Sequence, residues 1–319
     1  MTTEQNLELG LARHRAELLA HCYRMVGSYS EAEDLVQECL LRAWRSRADF
    51  DERRASWRTW LYRIATNLCL DALRSRPRRA LPAGLGPASE DALAPLAPSW
   101  EIPWLEPIPA AGYAADPAVV LEAQSSLRLA LVAAFQTMPP KQRAVLILRD
   151  VLAFTAEETA GVLQTTVAAA NSALQRARER LGQESIVDEA LTGPANVPAI
   201  IDEYVRAFER GDVAGIVKLL SDDVLLEMPP VDLWYRGVPN YRAFMERVFS
   251  QRGSSWRTVR TEANGQPAFA AYSRGPDSEF HLHTLQVLEI VGGRVRRNDV
   301  FADPRVLRSF DLAPVLPAG

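Results

Sequence analysis

Three groups of side chains have types and spacings that could do chemistry. The first lies between Arg53 and Arg79, where eight arginines stand against one acidic residue, Asp71. Trp57, Trp60 and Tyr62 are interleaved with Arg58 and Arg63. Guanidinium groups pair with phosphates and aromatic rings offer surfaces to unstacked bases, so the pattern fits single-strand binding. At helical spacing Trp60, Leu61, Ile64 and Leu68 also suit a core, but a core does not explain the arginine excess. The second group is VAAANSALQRARERL, residues 167–181. Val167, Ala170, Leu174, Ala177 and Leu181 share one helical face; Ala168, Ala169, Asn171, Ser172, Gln175 and Arg176 share the other. Small residues let such a helix enter a major groove, Asn and Gln can read base edges, and Arg176 and Arg178 can hold phosphates. The third group is His281 and His283, alternating on one strand, with Asp299 on its neighbour and Trp234 and Tyr235 as lining for a pocket. A His/Asp pair could do general acid–base work, or be hydrogen-bonded sheet residues or a non-catalytic pocket.

No strong nucleophile or metal signature accompanies these groups. Cys22, Cys39 and Cys69 show no Cys-x-x-Cys or Cys/His spacing, so neither a disulfide framework nor a metal site is expected, and no cofactor. The first ten residues lack a basic start and an apolar run, and no stretch approaches about 18 apolar residues. The expectation is a cytoplasmic protein with no membrane partner.

The elements that position these groups follow from length and charge. A chain of 319 residues, 48% apolar and 24% charged, suits about two globular domains. Its net charge of −4 argues at first against nucleic acid, but the total hides the distribution. Residues 1–80 carry a net +3, 81–118 a net −5, 119–182 a net +2 and 183–319 a net −4. The −5 segment has no basic residue and eight prolines, which block helix interiors, so it reads as an extended linker. Its PSWEIPWLEPIP patch carries Trp100, Trp104 and Leu105, which a solvated linker does not need; the patch is expected to dock. Thr192–Asn196 marks a second boundary.

The first block reads as helices. Ser30-Glu-Ala-Glu33 suits a capping box, with Leu35, Cys39, Leu40, Ala43 and Trp44 as a buried stripe behind it. Asp34, Gln37, Glu38 and Arg42 point elsewhere, on spacing alone a solvated face. In the second block Pro140 suits a first helical turn, Val145, Leu146, Leu148 and Val151 form an apolar face, and Thr155–Glu158 is another capping box. A break at Gln164–Thr166 then leads into the 167–181 helix, a helix-turn-helix arrangement. Past residue 197 two helices reach Leu220, a strand covers 224–228, a helix 238–249, and strands cover 256–262, 268–273, 280–291 and 294–301. Gly292-Gly293 is a hairpin turn. This order gives an α+β cone with a curled antiparallel sheet.

SEAEDLVQECLLRAW followed by WRTWLYRIATNLCLDALR closely resembles region 2 of the extracytoplasmic-function sigma factors, alternative specificity subunits of bacterial RNA polymerase. The resemblance implies that Asp34, Gln37 and Glu38 face the clamp helices of the polymerase β′ subunit. It implies that Trp57, Arg58, Trp60, Arg63, Asn67 and Arg74 serve minus-10 promoter DNA, with Asn67 near a flipped base. The helix-turn-helix resembles region 4, the minus-35 reader, which in the family also binds the β flap, here through the surface around Val145–Phe154. Asn171 stands where the family often has a basic residue, so the family's minus-35 preference does not transfer. FERGDVAGIVKLLSDDVLLEMPP, WYRG, GQPAFAAY and VLEIVGGRVRRNDVFADP resemble the SnoaL-like, nuclear transport factor 2-like fold. That fold carries enzymes and binding modules alike, so it does not by itself give an activity.

These features imply two all-α domains joined by a Pro-rich linker and followed by an α+β cone: 5–80 as region 2, 81–118 as linker, 119–182 as region 4 and 197–316 as a SnoaL-like domain. The expected function is a sigma factor, not an enzyme, binding RNA polymerase core and promoter DNA. Its C-terminal domain would regulate in cis, dock the WEIPWLEP patch and offer room for a small-molecule ligand. Two rivals stand beside it. A helix-turn-helix regulator with a ligand domain leaves the Ser30–Asn67 motifs unexplained. A SnoaL-like enzyme with a DNA-binding N-terminus would need His283 or Asp299 for turnover.

Overall fold

Short polar side chains set the helix starts. Ser28 accepts from the Glu31 N–H at 3.2 Å and opens a helix at Tyr29, so the cap lies two residues before Ser30, which sits inside the first turn. Ser28 is fixed there because its hydroxyl also donates to Glu106 at 2.6 Å. Ser56 caps the next helix through the Thr59 N–H. Thr155 and Glu158 form the reciprocal capping box that their spacing indicates.

A computed structural model describes residues 3–51, 53, 56–113, 126–182 and 197–317. The chain forms two units, one from residues 1–79 and 105–188, the other from 80–104 and 189–319. The first is helical: α1 (Thr3–Val26), α2 (Tyr29–Arg45), α3 (Trp57–Ala72), α4 (Leu129–Gln136), α5 (Pro140–Leu146), α6 (Ala156–Leu163) and α7 (Val167–Gly182). A π turn over Ile147–Val151 continues α5 and is closed by the Leu152 N–H on the Ile147 oxygen. Leu18, Leu19, Tyr23, Val36, Leu61 and Tyr62 are buried at its centre, each worth about 1.5–3 kcal/mol of transfer. Arg143 is buried too. Its guanidinium donates to the oxygens of Met25, Gln136 and Met138, tying α5 to the end of α1, and burial pulls it down to about 10. His21 bonds Thr66 at 2.9 Å and is pushed down to about 3 by burial, so it is neutral.

The second unit holds β1 (Leu220–Glu227), β2 (Trp234–Arg236), β3 (Trp256–Ala263), β4 (Gln266–Arg274), β5 (Phe280–Val291), β6 (Arg294–Phe301) and β7 (Val315–Leu316). The order is β2-β1-β6-β5-β4-β3, with β7 on β5. Against it pack α8 (Val197–Glu209), α9 (Val213–Lys218) and α10 (Val238–Arg252), with α11 (Pro304–Arg308) near the C-terminus. Tyr204, Phe208, Tyr241, Phe244, Phe269 and Leu288 fill the space between sheet and helices. The sheet is mixed rather than antiparallel throughout, because β1 runs parallel to β6. Hairpin turns dictate antiparallel neighbours, but β1 and β6 meet only after about 70 intervening residues.

The 81–118 segment does not form one linker. Residues 80–104 belong to the second unit and the following residues to the first, where Leu105 and Ile108 are fully buried. Part of the 5–80, 81–118 and 119–182 spans, and all of Thr192–Asn196, lie outside the described residues. Among the described residues no helix is long and apolar enough to cross a membrane.

Candidate nucleic-acid interface and cone cavity

On α2, Asp34 and Gln37 are exposed, and Glu38 is half-buried and paired with Arg42 at 2.6 Å one turn on. Such an exposed pair adds little stability, which leaves the acidic face available to a partner. On α3 the aromatic residues gather into a cluster. Trp57 packs 4.0 Å from Phe50 and 5.1 Å from Trp60, centroid to centroid. Trp60 is buried, whereas Arg63 and Arg74 are exposed and Asn67 half-buried. Arg74 pairs with Asp71 at 3.1 Å. Arg58 is occupied within the unit: its Nη2 donates to the Leu152 oxygen at 3.3 Å, and its Nε lies 3.4 Å from Glu17. The same guanidinium covers the rings of Tyr62 and Phe154. The His14 ring, 3.4 Å away, with Arg58 close by, holds the Glu17 carboxyl below its usual value against its own burial. Phe50 and Phe154 were not singled out by spacing; their part in this cluster comes from tertiary packing.

The turn between α6 and α7 is made by Gln164 in the left-handed region, φ 50°. Ala170, Leu174 and Ala177 are buried, and Ala168, Ala169, Asn171, Ser172, Gln175, Arg176 and Arg178 are exposed. Val167 is exposed rather than in the buried stripe. Arg176 donates to Ser172 at 2.7 Å, Gln175 to Glu179 at 3.0 Å, and Arg178 grips Asp150 through two bonds of 2.8 and 2.7 Å. The surface expected around Val145–Phe154 faces inward: Val145, Leu146, Ile147, Leu148 and Phe154 are all buried. These side chains meet α1 and α3 in place of solvent.

In the second unit the pocket assignment is corrected. A cavity of about 420 Å³ opens in the cone, and of Trp234, Tyr235, His281, His283 and Asp299 only His283 lines it. A bulge in β5 is the cause: Ala271 pairs with Thr284 and Tyr272 with Leu282, leaving His283 between them and breaking the alternation. Asn298 and Val300 line the cavity, so Asp299 between them points to the opposite face. There it shares Arg297 with the buried Glu227, its bond from Arg297 measuring 2.9 Å. Burial pushes the Asp299 carboxyl up to about 7, against the pull of Arg297. His283 is pushed down to about 4 by burial and is neutral, packed 5.7 Å from the Trp256 ring. The acid–base pair is therefore not assembled. His281 bonds Asp277 at the exposed β4–β5 turn, where Glu279 brings a third ligand atom within 4.8 Å, a grouping spacing did not reveal.

Trp234 and Tyr235 instead hold residues 80–104. Trp234 donates to the Gly86 oxygen at 2.9 Å and accepts from the Ser89 N–H at 2.8 Å through its own carbonyl. Tyr235 donates to the Asp91 oxygen at 3.1 Å, and Arg247 to those of Ala92 and Ala94 at 2.7 Å each. Glu227 accepts from the Ala83 N–H at 2.6 Å, and Pro230 from the Ser99 N–H at 2.8 Å. Within this strap Trp100 is 54% exposed, with Arg305 over its ring, and Trp104 is buried with its indole N–H on the Ser99 oxygen. Leu105 is buried in the helical unit instead.

Comparison with known proteins agrees with this division. Residues 11–79 match the Sigma-70 region 2 family, 128–181 the Sigma-70 region 4 family, and 201–298 the SnoaL-like domain family. The ECF RNA polymerase sigma factor SigG of Mycobacterium tuberculosis is 43% identical over 310 residues, covering 94% of this chain and 82% of that protein. SigW of Bacillus subtilis, also an ECF RNA polymerase sigma factor, is 32% identical over 165 residues, covering 51% of this chain and 80% of its own length. The crystal structure of the M. tuberculosis extracytoplasmic function sigma factor SigJ shares the fold, with a TM-score of 0.65 at 24% identity over 94% of this chain and 97% of that one. Two sigma regions in order and a relative 43% identical along 94% of this chain place it among the ECF RNA polymerase sigma factors, with a SnoaL-like domain following region 4.

Proposed function

We propose that this sigma factor directs promoter-specific initiation through surfaces of regions 2 and 4 and restrains itself through its C-terminal domain. The α2 face of Asp34, Gln37 and Glu38 meets the β′ clamp helices of core polymerase. Trp57, Arg63, Asn67 and Arg74 of region 2 meet the minus-10 element, joined by Arg58 and Trp60 once they are released. On α7 the exposed face from Ala168 to Arg178 enters the minus-35 groove. The observation that carries the reading is the exposure of Asp34, Gln37, Arg63 and Arg74 on the segment matching region 2 and of the Ala168–Arg178 face on the segment matching region 4.

Arg58 supports the restraint. Its guanidinium is held by Leu152 and Phe154, residues of region 4, so it is not free for phosphate. Size argues the same way. A compact body of about 160 residues is about 40 Å across, whereas two elements about 25 base pairs apart lie about 85 Å apart on B-DNA at about 3.4 Å per pair. The helical unit must open before both readers engage one promoter, and the same opening frees the apolar surface at Val145–Phe154 for the β flap. The strap on the cone is the handle by which the SnoaL-like domain influences that opening, working by binding and not by turnover.

Reconstituted transcription with core polymerase tests this, comparing the full chain with residues 1–196. Both proteins should support promoter-dependent initiation, and the shorter one should differ from the full chain in activity or in affinity for core. Equal activity and equal affinity would remove the regulatory half of the proposal; no initiation by the full chain on any promoter would remove the first half.

A further inference from the structure

The cone cavity, at about 420 Å³, is of the size that holds small organic molecules. Its walls are apolar, built from Phe208, Leu226, Met245, Trp256 and Val300. Into this surface project His283, Thr284, Gln286 and Asn298. Asn298 is 1% exposed. Its Nδ2 has three oxygens within hydrogen-bond distance for its two hydrogens, Tyr204 at 3.2 Å, Tyr241 at 2.8 Å and Gln286 at 2.9 Å, while its Oδ1 has no partner. Turning the amide over would put a nitrogen in that place and leave it equally unpaired. A buried amide atom without a partner carries a desolvation cost that a polar group of a ligand removes.

Charge at the site is one-sided. Arg247 and Arg252 lie among the lining residues and no Asp or Glu does. Arg247 spends its Nη1 on the oxygens of Ala92 and Ala94, and its buried Nε has no partner. A cation would meet two guanidinium groups and no counter-charge, whereas an anion would meet both.

Part of the wall is not cone at all. Leu96, Pro98 and Trp100 of the strap line the cavity, held by the Pro98–Val231 bridge and the Ser99–Pro230 hydrogen bond. A ligand that touches Leu96 and Trp100 binds the strapped state better than one in which the strap has lifted. Such a difference in affinity shifts the strap equilibrium, and by linkage the strap shifts ligand affinity by the same factor.

We propose that the cone cavity binds a mainly apolar organic anion and that residues 96–100 complete its wall, so that occupancy locks the linker onto the SnoaL-like domain. The consequence for transcription rests on the regulatory reading above; the binding does not.

The test uses the full chain without polymerase. The probes are 1-anilinonaphthalene-8-sulfonate, an apolar aromatic anion, and its uncharged parent N-phenyl-1-naphthylamine. The anion should bind saturably at one site. Arg252→Glu, at an exposed rim position, should weaken the anion about tenfold and the neutral parent by less than twofold. Trp100→Ala should weaken the anion about fivefold, and saturating anion should slow hydrogen exchange across residues 86–103 by a comparable factor. Val300→Trp, which fills the cavity, should abolish binding; if that variant does not fold, Arg252→Glu and Trp100→Ala carry the test. Non-saturable binding, or an anion affinity unchanged in both of those variants, overturns the site. Binding that leaves exchange over 86–103 unchanged overturns the strap's part in it. An unchanged transcription rate on removing residues 197–319 would leave these binding results standing, so the two proposals fail separately.

Discussion

The guanidinium of Arg58 lies 4.4 Å from the centre of the Phe154 ring and donates to the Leu152 oxygen, so a residue expected at promoter DNA is seated on region 4. Phe154 is 2% exposed and also packs 5.1 Å from Tyr62. Phe154→Ala should cost about 3–5 kcal/mol of stability in the helical unit. It should also lengthen the mean distance between fluorophores placed on α2 and α7. Lost stability with no change in distance would show that other contacts hold the readers together.

Asp34 makes the polymerase surface testable without disturbing the fold. It is exposed, so Asp34→Arg should change stability by no more than about 0.5 kcal/mol. Affinity for core polymerase, followed by fluorescence anisotropy, should fall at least tenfold. Undiminished binding would move the contact off this face of α2.

On the proposed reading, base contacts by Asn171 and phosphate contacts by Arg176 on α7 are separable. Arg176→Ala should weaken minus-35 binding evenly across sequences and reduce the dependence of log affinity on log salt by about one. Asn171→Ala should cost about 1–3 kcal/mol on the preferred sequence and flatten preference at one base position. Competition binding on a randomised minus-35 library distinguishes these outcomes, and an even loss in both variants would contradict the assignment to Asn171.

His283 and Asp299 pull the stability of the second unit in opposite directions with pH. His283 is lowered from 6.5 to about 4 in the folded chain, so the unfolded state holds the extra proton between those values and stability rises with pH there. Asp299 is raised from 3.8 to about 7, so the folded state holds the extra proton and stability falls as pH rises from about 4 to about 7. Each slope is about 1.4 kcal/mol per pH unit, and the two nearly cancel from about pH 4 to about pH 6.5. Urea unfolding at several pH values should show a rising profile for Asp299→Asn and a falling one for His283→Gln. Parallel profiles in the two variants would contradict the opposed burial of these groups.

Local signals in the sequence were strong where the physics is local. Thr155 and Glu158 cap α6 because four consecutive residues suffice to make the box, and the exposed face of α7 follows from a 3.6-residue period. Ser30 is not the cap because the helix opens two residues earlier, where Ser28 offers the same chemistry; both hydroxyls donate to the Glu106 carboxylate, at 2.6 and 3.2 Å, a partner more than 70 residues away. The pairing of His283 with Asp299 failed because one bulged residue inverts every later side chain in a strand, and no residue type announces a bulge there. Trp234 and Tyr235, expected as pocket lining, hold the strap instead; hydrogen bonds to the carbonyls of Gly86 and Asp91 cannot be read from either segment alone.

The strap begins and ends at one place. The Ala80 N–H meets the Pro103 oxygen at 3.3 Å, and Ala80 bridges Trp104, so residues 80–104 form a loop closed at its neck. While the neck is shut, these 25 residues add almost nothing to the reach of the tether between regions 2 and 4. Peeled from the cone and drawn straight, they would add up to about 85 Å at about 3.4 Å per residue. That is about the span between the two promoter elements. On the proposed restraint, the SnoaL-like domain is a reel: it stores the leash that the readers need to reach both elements at once.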